Sequence, residues 1–349
     1  MKRRPTASAL EGKTRTLAGL TVLFLLPACA SSTRGDRTEP QPLTRRQQAH
    51  MGTWVSISIP APESPELLAA IRAAFAEVER LEGLLSAHRP GSSVSAVNRL
   101  AGRGAVAVAP ELFCLAAMAG DVSDETGGAF DITFAALDGL WDFKAPEPRV
   151  PDRAAARARA ELVGWRDLVL DREQGTLMLR RPGMKIGLGG IAKGYVVDRV
   201  SAVLRARGFA DHLVIGGGDL YAAGSRGGRT WRVGVRDPRR DAIRAVIALR
   251  DEGAATSGDY ERFFISGGVR YHHILDPRTG WPAQGCASVT TVAPSAALAD
   301  AYATGLFVMG PEAGRALAER HAGLEALFLS PGGDALATSG MRERMLVGP

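Results

Sequence analysis

A chain of 349 residues, 46% hydrophobic and 23% charged, is long enough to bury a full core in one large domain or two smaller ones. Its formal net charge of +6 does not mark a nucleic-acid binder. Lys2, Arg3, Arg4, Lys13 and Arg15 stand against Glu11 at the start of the chain, and no basic run follows in the body.

The N-terminus pairs that basic region with an apolar stretch at 17–26 and then Pro27-Ala28-Cys29. This is the pattern of a signal peptide, and the stretch is too short to span a bilayer. Leu26-Pro27-Ala28-Cys29 is similar to a bacterial lipobox, so residues 1–28 are expected to be a leader and Cys29 the lipidated first mature residue. Lipid attachment would hold the protein in the bacterial cell envelope, on a membrane's periplasmic side. Polar residues 29–48 read as a flexible tether, and 49–345 as a single domain. Cys114 falls in an apolar helical pattern and Cys286 at the start of an apolar strand. Two buried free thiols are expected from this, although an exported protein could also join them in a disulfide.

Within the domain, residues 50–59 alternate as one strand. Ser64-Pro65-Glu66 opens a long amphipathic helix whose apolar positions run to Leu85. A second helix is expected over 110–125 and a short one ending at Val163, followed by strands at 167–170 and 176–180. A helix to Arg207 and a strand at 212–215 come next. Short strands are expected at 231–236, 245–249, 262–265 and 269–273. A strand at 288–293, helices at 296–309 and 312–321, and a strand at 326–330 complete the chain. Hairpin-like strands mixed with helices indicate an α+β fold rather than a doubly wound sheet.

Residues 184–199, MKIGLGGIAKGYVVDR, carry the strongest chemical signal. Glycines let backbone N–H groups approach an anion, a helix start adds a positive dipole end, and Lys193 adds a point charge, so a phosphate-bearing ligand is indicated. The run 187–192 also satisfies the G-x-G-x-x-G/A dinucleotide fingerprint, with Asp211 where a ribose-binding acid would fall. The strand pattern counts against that reading. Further on, Thr256-Ser257-Gly258-Asp259-Tyr260 reads as a hydroxyl-rich turn, and His272-His273 stand beside an Asp-Pro turn. Asp300 and Thr304 lie four apart on a helical pattern, so both face one way, and a carboxylate with a hydroxyl makes a hard-oxygen site suited to Mg²⁺.

Taken in order, these segments resemble the FAD:protein FMN transferase (ApbE) family. The matching pieces include HMGT at 50–53, GAFDIT at 128–133, GGIAKGYVVD at 189–198, GGGD at 216–219, ATSGDYER at 255–262, HHILDPRTGWP at 272–282 and ADAYATGLFVMG at 299–310. The resemblance implies an α+β flavin-binding fold, a mixed, largely antiparallel sheet packed with helices and not a Rossmann fold. It implies an enzyme that uses FAD as substrate and Mg²⁺ as cofactor. An acceptor threonine attacks the FMN-side phosphorus of FAD, AMP leaves, and FMN stays on the threonine. Partners implied are threonine-containing subunits of membrane redox complexes or other exported flavoproteins.

Carried over residue by residue, Gly190, Asp300 and Thr304 would hold Mg²⁺ and Lys193 would contact FAD. Met51, Ala129, Phe130, Asp131, Gly187 and Ile274 would line the flavin nucleotide, and His273 is the candidate base, a role that suits an imidazole with a pKa near neutrality. Two positions depart from the family pattern: Gly187 where an FAD-contacting aspartate is usual, and His88 where tyrosine is frequent. An FAD pyrophosphatase, using water as nucleophile at the same site, and a non-catalytic FAD-binding lipoprotein are the alternative readings.

Overall fold

A computed structural model describes residues 42–348. The expected leader, Cys29 and the first part of the tether lie outside the described residues. The centre of the fold is an eight-stranded sheet. Its strands lie in the order Thr44–His50, Thr53–Ile59, His212–Gly216, Asp219–Ala223, Glu252–Gly258, Ser288–Ala293, Glu325–Leu329 and Ala335–Ala337. Every neighbouring pair is antiparallel. This is the α+β arrangement expected, and with no parallel pair in that sheet the dinucleotide fingerprint at 187–192 has no Rossmann frame around it.

Period-2 alternation sorts the side chains of the sheet into two cores. Val214 and Val289 face the helical side, while Leu213, Leu220 and Val292 face the other. On the helical side, helix Ala296–Met309 lies against Glu252–Gly258 and Ser288–Ala293. Ala192–Ala206 packs beside it, and Pro65–Leu85 packs on that helix. The opposite face is covered by a three-stranded sheet of Trp231–Arg236, Ile243–Leu249 and Met345–Val347.

Helix Ala296–Met309 is apolar nearly all round and buried along most of its length, as a central helix must be. Its N-terminus is doubly satisfied. Ser295 accepts from Leu298 N–H at 3.2 Å, and Asp198 accepts from Ala296 and Ala297 N–H at 2.8 and 2.9 Å. Burial pushes the Asp198 carboxyl up to about 6 against those two bonds.

Three sequence expectations need correction. Residues 44–48 are not tether: Thr44–His50 is an edge strand paired with Thr53–Ile59 through a turn at Met51-Gly52. Its polar sequence reflects a largely exposed edge strand with only Thr44 buried. Residues 252–258 form a central strand rather than leading into a turn at Thr256. Glycine is needed at 253 because a Cβ there would collide with the backbone of Ser295 and Ala296. Cys286 is buried and free as expected, but Cys114 is exposed on the outer face of helix Pro110–Glu125 and also free.

Candidate active site

The site forms where three distant segments meet. The helix Ala192–Ala206 begins directly after the glycine-rich run and aims its N-terminal turn at helix Ala296–Met309. Gly194 sets the crossing distance: a Cβ there would overlap the Ala296 carbonyl. Close approach brings Lys193 and Asp300 together, with Nζ 3.3 and 3.2 Å from the two carboxylate oxygens, and Gly194 N–H reaches Asp300 Oδ2 at 3.4 Å. The third segment is the hairpin turn GGGD. Gly217 takes the left-handed conformation at φ +72°, which favours glycine, and the turn delivers Asp219 to Lys193 Nζ at 2.8 Å.

One ammonium therefore serves two buried carboxylates. Asp219 is 2% and Asp300 3% exposed, whereas the Lys193 side chain is 31% exposed and reaches the surface of the site. Burial works against the lysine's charge, but Asp219 and Asp300 outweigh it and hold the pKa above its ordinary value. Burial raises the Asp219 carboxyl, and the neighbouring Asp300 charge raises it further against the pull of Lys193.

Thr304 stands one turn along from Asp300 on the same helix face. Its Oγ1 lies 3.2 Å from Ser257 Oγ, and a Cβ built on Gly190 would sit 3.0 Å from it. Gly190, Asp300 and Thr304 are thus brought together as expected. Carboxylate, hydroxyl and nearby backbone form a hard-oxygen donor set that fits Mg²⁺. Among the described residues no three His, Cys, Asp or Glu side chains group as a metal site, so any cation here relies on mixed oxygen donors.

The expected flavin-lining residues fall around this centre in different ways. Met51, at φ +52°, donates its N–H to Glu82 Oε2 at 3.1 Å and borders an open cavity of about 510 Å³. Trp54, 49% exposed, lines the same cavity. Phe130 packs 3.3 Å from the Cβ position of Gly190. Ala129 and Ile274 are buried, and Ile274 accepts from Ala283 N–H. Asp131 is spent within the fold: it accepts from Thr133 N–H and Oγ1, both at 2.7 Å, and from Trp165 N–H at 3.0 Å. That caps the short helix Ile132–Leu137.

Gly187 lies directly beneath this short helix and donates to Ile132 O at 2.7 Å. A Cβ at 187 would come within 2.9 Å of Ala135 Cβ, so the family's aspartate has no room here without a shift of 135. Asn98 straps the same stretch through both sides of its amide, bonding Ile186 N–H and O at 2.7 and 3.0 Å.

His273 follows the hairpin Phe263–Ser266/Val269–His272, and its N–H donates to Arg262 O at 3.1 Å. Its Nδ1 is buried with no partner. Burial first, then the charge of Arg262, pushes its pKa down to about 3. That corrects the near-neutral value expected for the base: the ring is neutral at pH 7, but its burial beside Arg262 makes it a weaker proton acceptor than a free imidazole. The neighbouring His272 is a packing residue: its ring meets Phe307 edge-on and its Nε2 bonds Ala283 O. Asp211, offered by the fingerprint as a ribose ligand, accepts from Ser225 N–H in a surface turn instead.

Sequence reasoning did not assign Asp198, Asp219 or Ser257. Asp198 and Asp219 were visible as the last letters of GYVVD and GGGD, but their partners lie 98 and 26 residues away.

Residues 51–328 match the family model described as the ApbE family. The chain belongs to the ApbE family. It is 33% identical over 337 residues to the FAD:protein FMN transferase of Treponema pallidum, covering 91% of this chain and 93% of that protein. Against the Escherichia coli K12 protein of the same name it is 29% identical, covering 92% and 94%. Among solved structures, the ApbE protein of Thermotoga maritima superposes with a TM-score of 0.80 at 33% identity, over 87% of this chain and 99% of that one. The flavin transferase ApbE of Vibrio cholerae gives 0.78 at 30%, over 87% and 100%. The ApbE fold thus spans the whole site described above.

Proposed function

We propose that this chain is a FAD:protein FMN transferase that moves FMN from FAD to a threonine hydroxyl of an acceptor protein and releases AMP. The observation that carries the reading is the convergence of Lys193, Asp219, Asp300, Thr304 and Gly190 onto one partly open site in an ApbE fold, where a lysine ammonium stands beside a carboxylate–hydroxyl oxygen set. FAD carries two phosphate charges that repel a nucleophile. Lys193 and the N-terminal turn of helix Ala192–Ala206 offset them. Asp300 and Thr304, with the Gly190 carbonyl, would hold Mg²⁺, which supplies further charge neutralisation on the diphosphate.

In the transfer, the threonine Oγ forms a bond to the FMN-side phosphorus while that phosphorus loses its bond to the bridging oxygen, which departs with AMP. His273, neutral in the folded protein, receives the hydroxyl proton. AMP leaves as a phosphate and needs little protonation. FAD hydrolysis would use the same groups with water in place of threonine.

The acylated-Cys29 anchor on the periplasmic side of a membrane remains part of this proposal. Mass spectrometry of the membrane-extracted mature protein would show an acylated N-terminal cysteine if it holds. Among the described residues no helix is long and apolar enough to cross a membrane.

The direct test mixes the protein with FAD, Mg²⁺ and an acceptor domain flavinylated by the Vibrio cholerae relative. Flavin fluorescence of the denatured acceptor band and AMP release are followed together, with and without EDTA. A fluorescent band with matching AMP, both abolished by EDTA, is the expected result. AMP without a band would establish hydrolysis. FAD binding with neither product would establish a carrier.

A further inference from the structure

One short stretch of chain joins the two halves of the site. Ser257, near the end of strand Glu252–Gly258, lies 3.2 Å from Thr304. Further along, Arg262 accepts the N–H of His273 through its carbonyl at 3.1 Å. This contact lies one step beyond the strand pair Phe263 and His272, so the Arg262 and His273 side chains share a face. The turn at 259–261 therefore sets where His273 stands relative to Asp300 and Thr304.

That turn is held from several sides. Tyr260 folds back over Gly258, where a Cβ would run into its ring. Asp259 donates its N–H to Ala287 O at 3.0 Å, beside the central strand Ser288–Ala293. The Asp259 carboxylate is buried, with its side chain 5% exposed, and Arg239 grips it as a fork. Nη1 donates to Oδ1 and Nη2 to Oδ2, both at 2.6 Å.

Arg239 comes from a different layer, the loop between Trp231–Arg236 and Ile243–Leu249 of the outer sheet. Asp237 shapes this loop. It accepts from Arg239 and Arg240 N–H at 2.8 and 2.9 Å, and its own N–H reaches Ala242 O at 2.9 Å. A buried charge pair adds little net stability, because desolvation offsets its attraction. A guanidinium fork does fix a carboxylate in angle as well as distance.

We propose that Arg239 is a positioning residue for the transfer: through Asp259 it fixes the 259–262 turn and so holds His273 in place relative to Asp300 and Thr304. Neither Arg239 nor Asp259 touches the reacting atoms. The inference rests on the transferase reading for the role of His273, but the placement of the ring is measurable without turnover. The charged or titratable groups that act on this imidazole are Arg262, His272 and Lys193, and the test alters none of them.

The test uses the full chain with Arg239→Met and Asp259→Asn combined, which removes both charges and strands neither. Arg239→Lys, made separately, keeps the charge but loses the fork. The His273 imidazole is titrated by NMR in histidine-labelled protein, its signal assigned by its absence from His273→Ala. FMN transfer to the same acceptor domain is measured in parallel. Without the fork the turn should admit water, and the imidazole pKa should climb from about 3 toward the ordinary 6.5. The kcat for transfer should fall by about tenfold or more while the KM for FAD stays within about twofold. Arg239→Lys should lie between parent and double variant, and it decides on the same readings if the double variant does not fold. An imidazole still at about 3 would overturn the proposal whatever happens to kcat. So would a kcat within about twofold of the parent. A parent that binds FAD but transfers nothing would instead fail the transferase reading, while a shifted titration would still show that the fork places the ring.

Discussion

Lys193 Nζ lies 2.8 Å from Asp219 Oδ2 and 3.2 Å from Asp300 Oδ2, so a single ammonium bridges a turn residue and a candidate metal ligand. Asp219 keeps the lysine from settling entirely on Asp300. With Asp219→Asn the lysine loses its other anion and competes more strongly with a cation for Asp300. The Mg²⁺ concentration giving half-maximal transfer should rise by about tenfold, the cost of roughly one charge-assisted hydrogen bond. A Mg²⁺ titration of the variant checks this, and an unchanged midpoint with lowered activity would mean that Asp219 acts only on the fold.

Gly194 permits that bridge by letting two helices touch. Alanine normally favours a helix over glycine by up to about 1 kcal/mol. Here the added methyl meets the Ala296 carbonyl, so Gly194→Ala should destabilise by about 1–3 kcal/mol and disable transfer by parting Lys193 from Asp300. Gly120→Ala is the control: it lies inside helix Pro110–Glu125 with nothing near its Cβ position and should stabilise slightly. Denaturant midpoints of the two variants moving in opposite directions would bear this out. Both moving upward would show that the helix crossing is slack.

The sequence made the regular parts of this fold legible for a clear reason. Trp231–Arg236, Ser288–Ala293 and Ala296–Met309 have the bounds expected because their apolar pattern reports burial directly. Glu252–Gly258 did not show as a strand, since its Gly and Ala residues have low strand propensity and Gly253 answers to the Ser295–Ala296 backbone above it. In the site, Lys193, Asp300 and Thr304 followed from motif and spacing, and Gly190 from the family resemblance. Asp198 could not be separated from any other helical carboxylate until Ala296 was known to lie beside it. The pKa of His273 was equally hidden, because it depends on how deeply the ring sits and on Arg262.

His273→Ala should lower transfer by about 10² to 10⁴, the usual worth of a positioned base, with FAD affinity changed only a few-fold. The environment adds a sharper expectation. Burial and Arg262 hold the free enzyme's imidazole at about 3 instead of 6.5, so kcat/KM for FAD should show no acid limb near 6.5 from this ring. A limb at 6.5 that vanishes in the variant would place the ring in a more open setting than the structure gives it. Equal activity of parent and variant would remove His273 from the chemistry altogether.

His212 offers a stability test away from the site. Its ring is fully buried, with Nδ1 2.8 Å from Phe209 O and Nε2 2.8 Å from Ser201 Oγ. Burial lowers its pKa from 6.5 to about 4. Between those values the unfolded chain holds a proton that the folded chain refuses, so this contribution is complete above 6.5 and is lost as pH falls toward 4. From pH 7 to pH 5 the loss should be roughly 2 kcal/mol. Asp198, raised to about 6, works in the opposite sense, so the parent must be compared with His212→Asn rather than read alone. Chemical denaturation at both pH values should show the parent losing more stability on acidification than the variant. Parallel losses would mean that the buried imidazole is protonated without penalty.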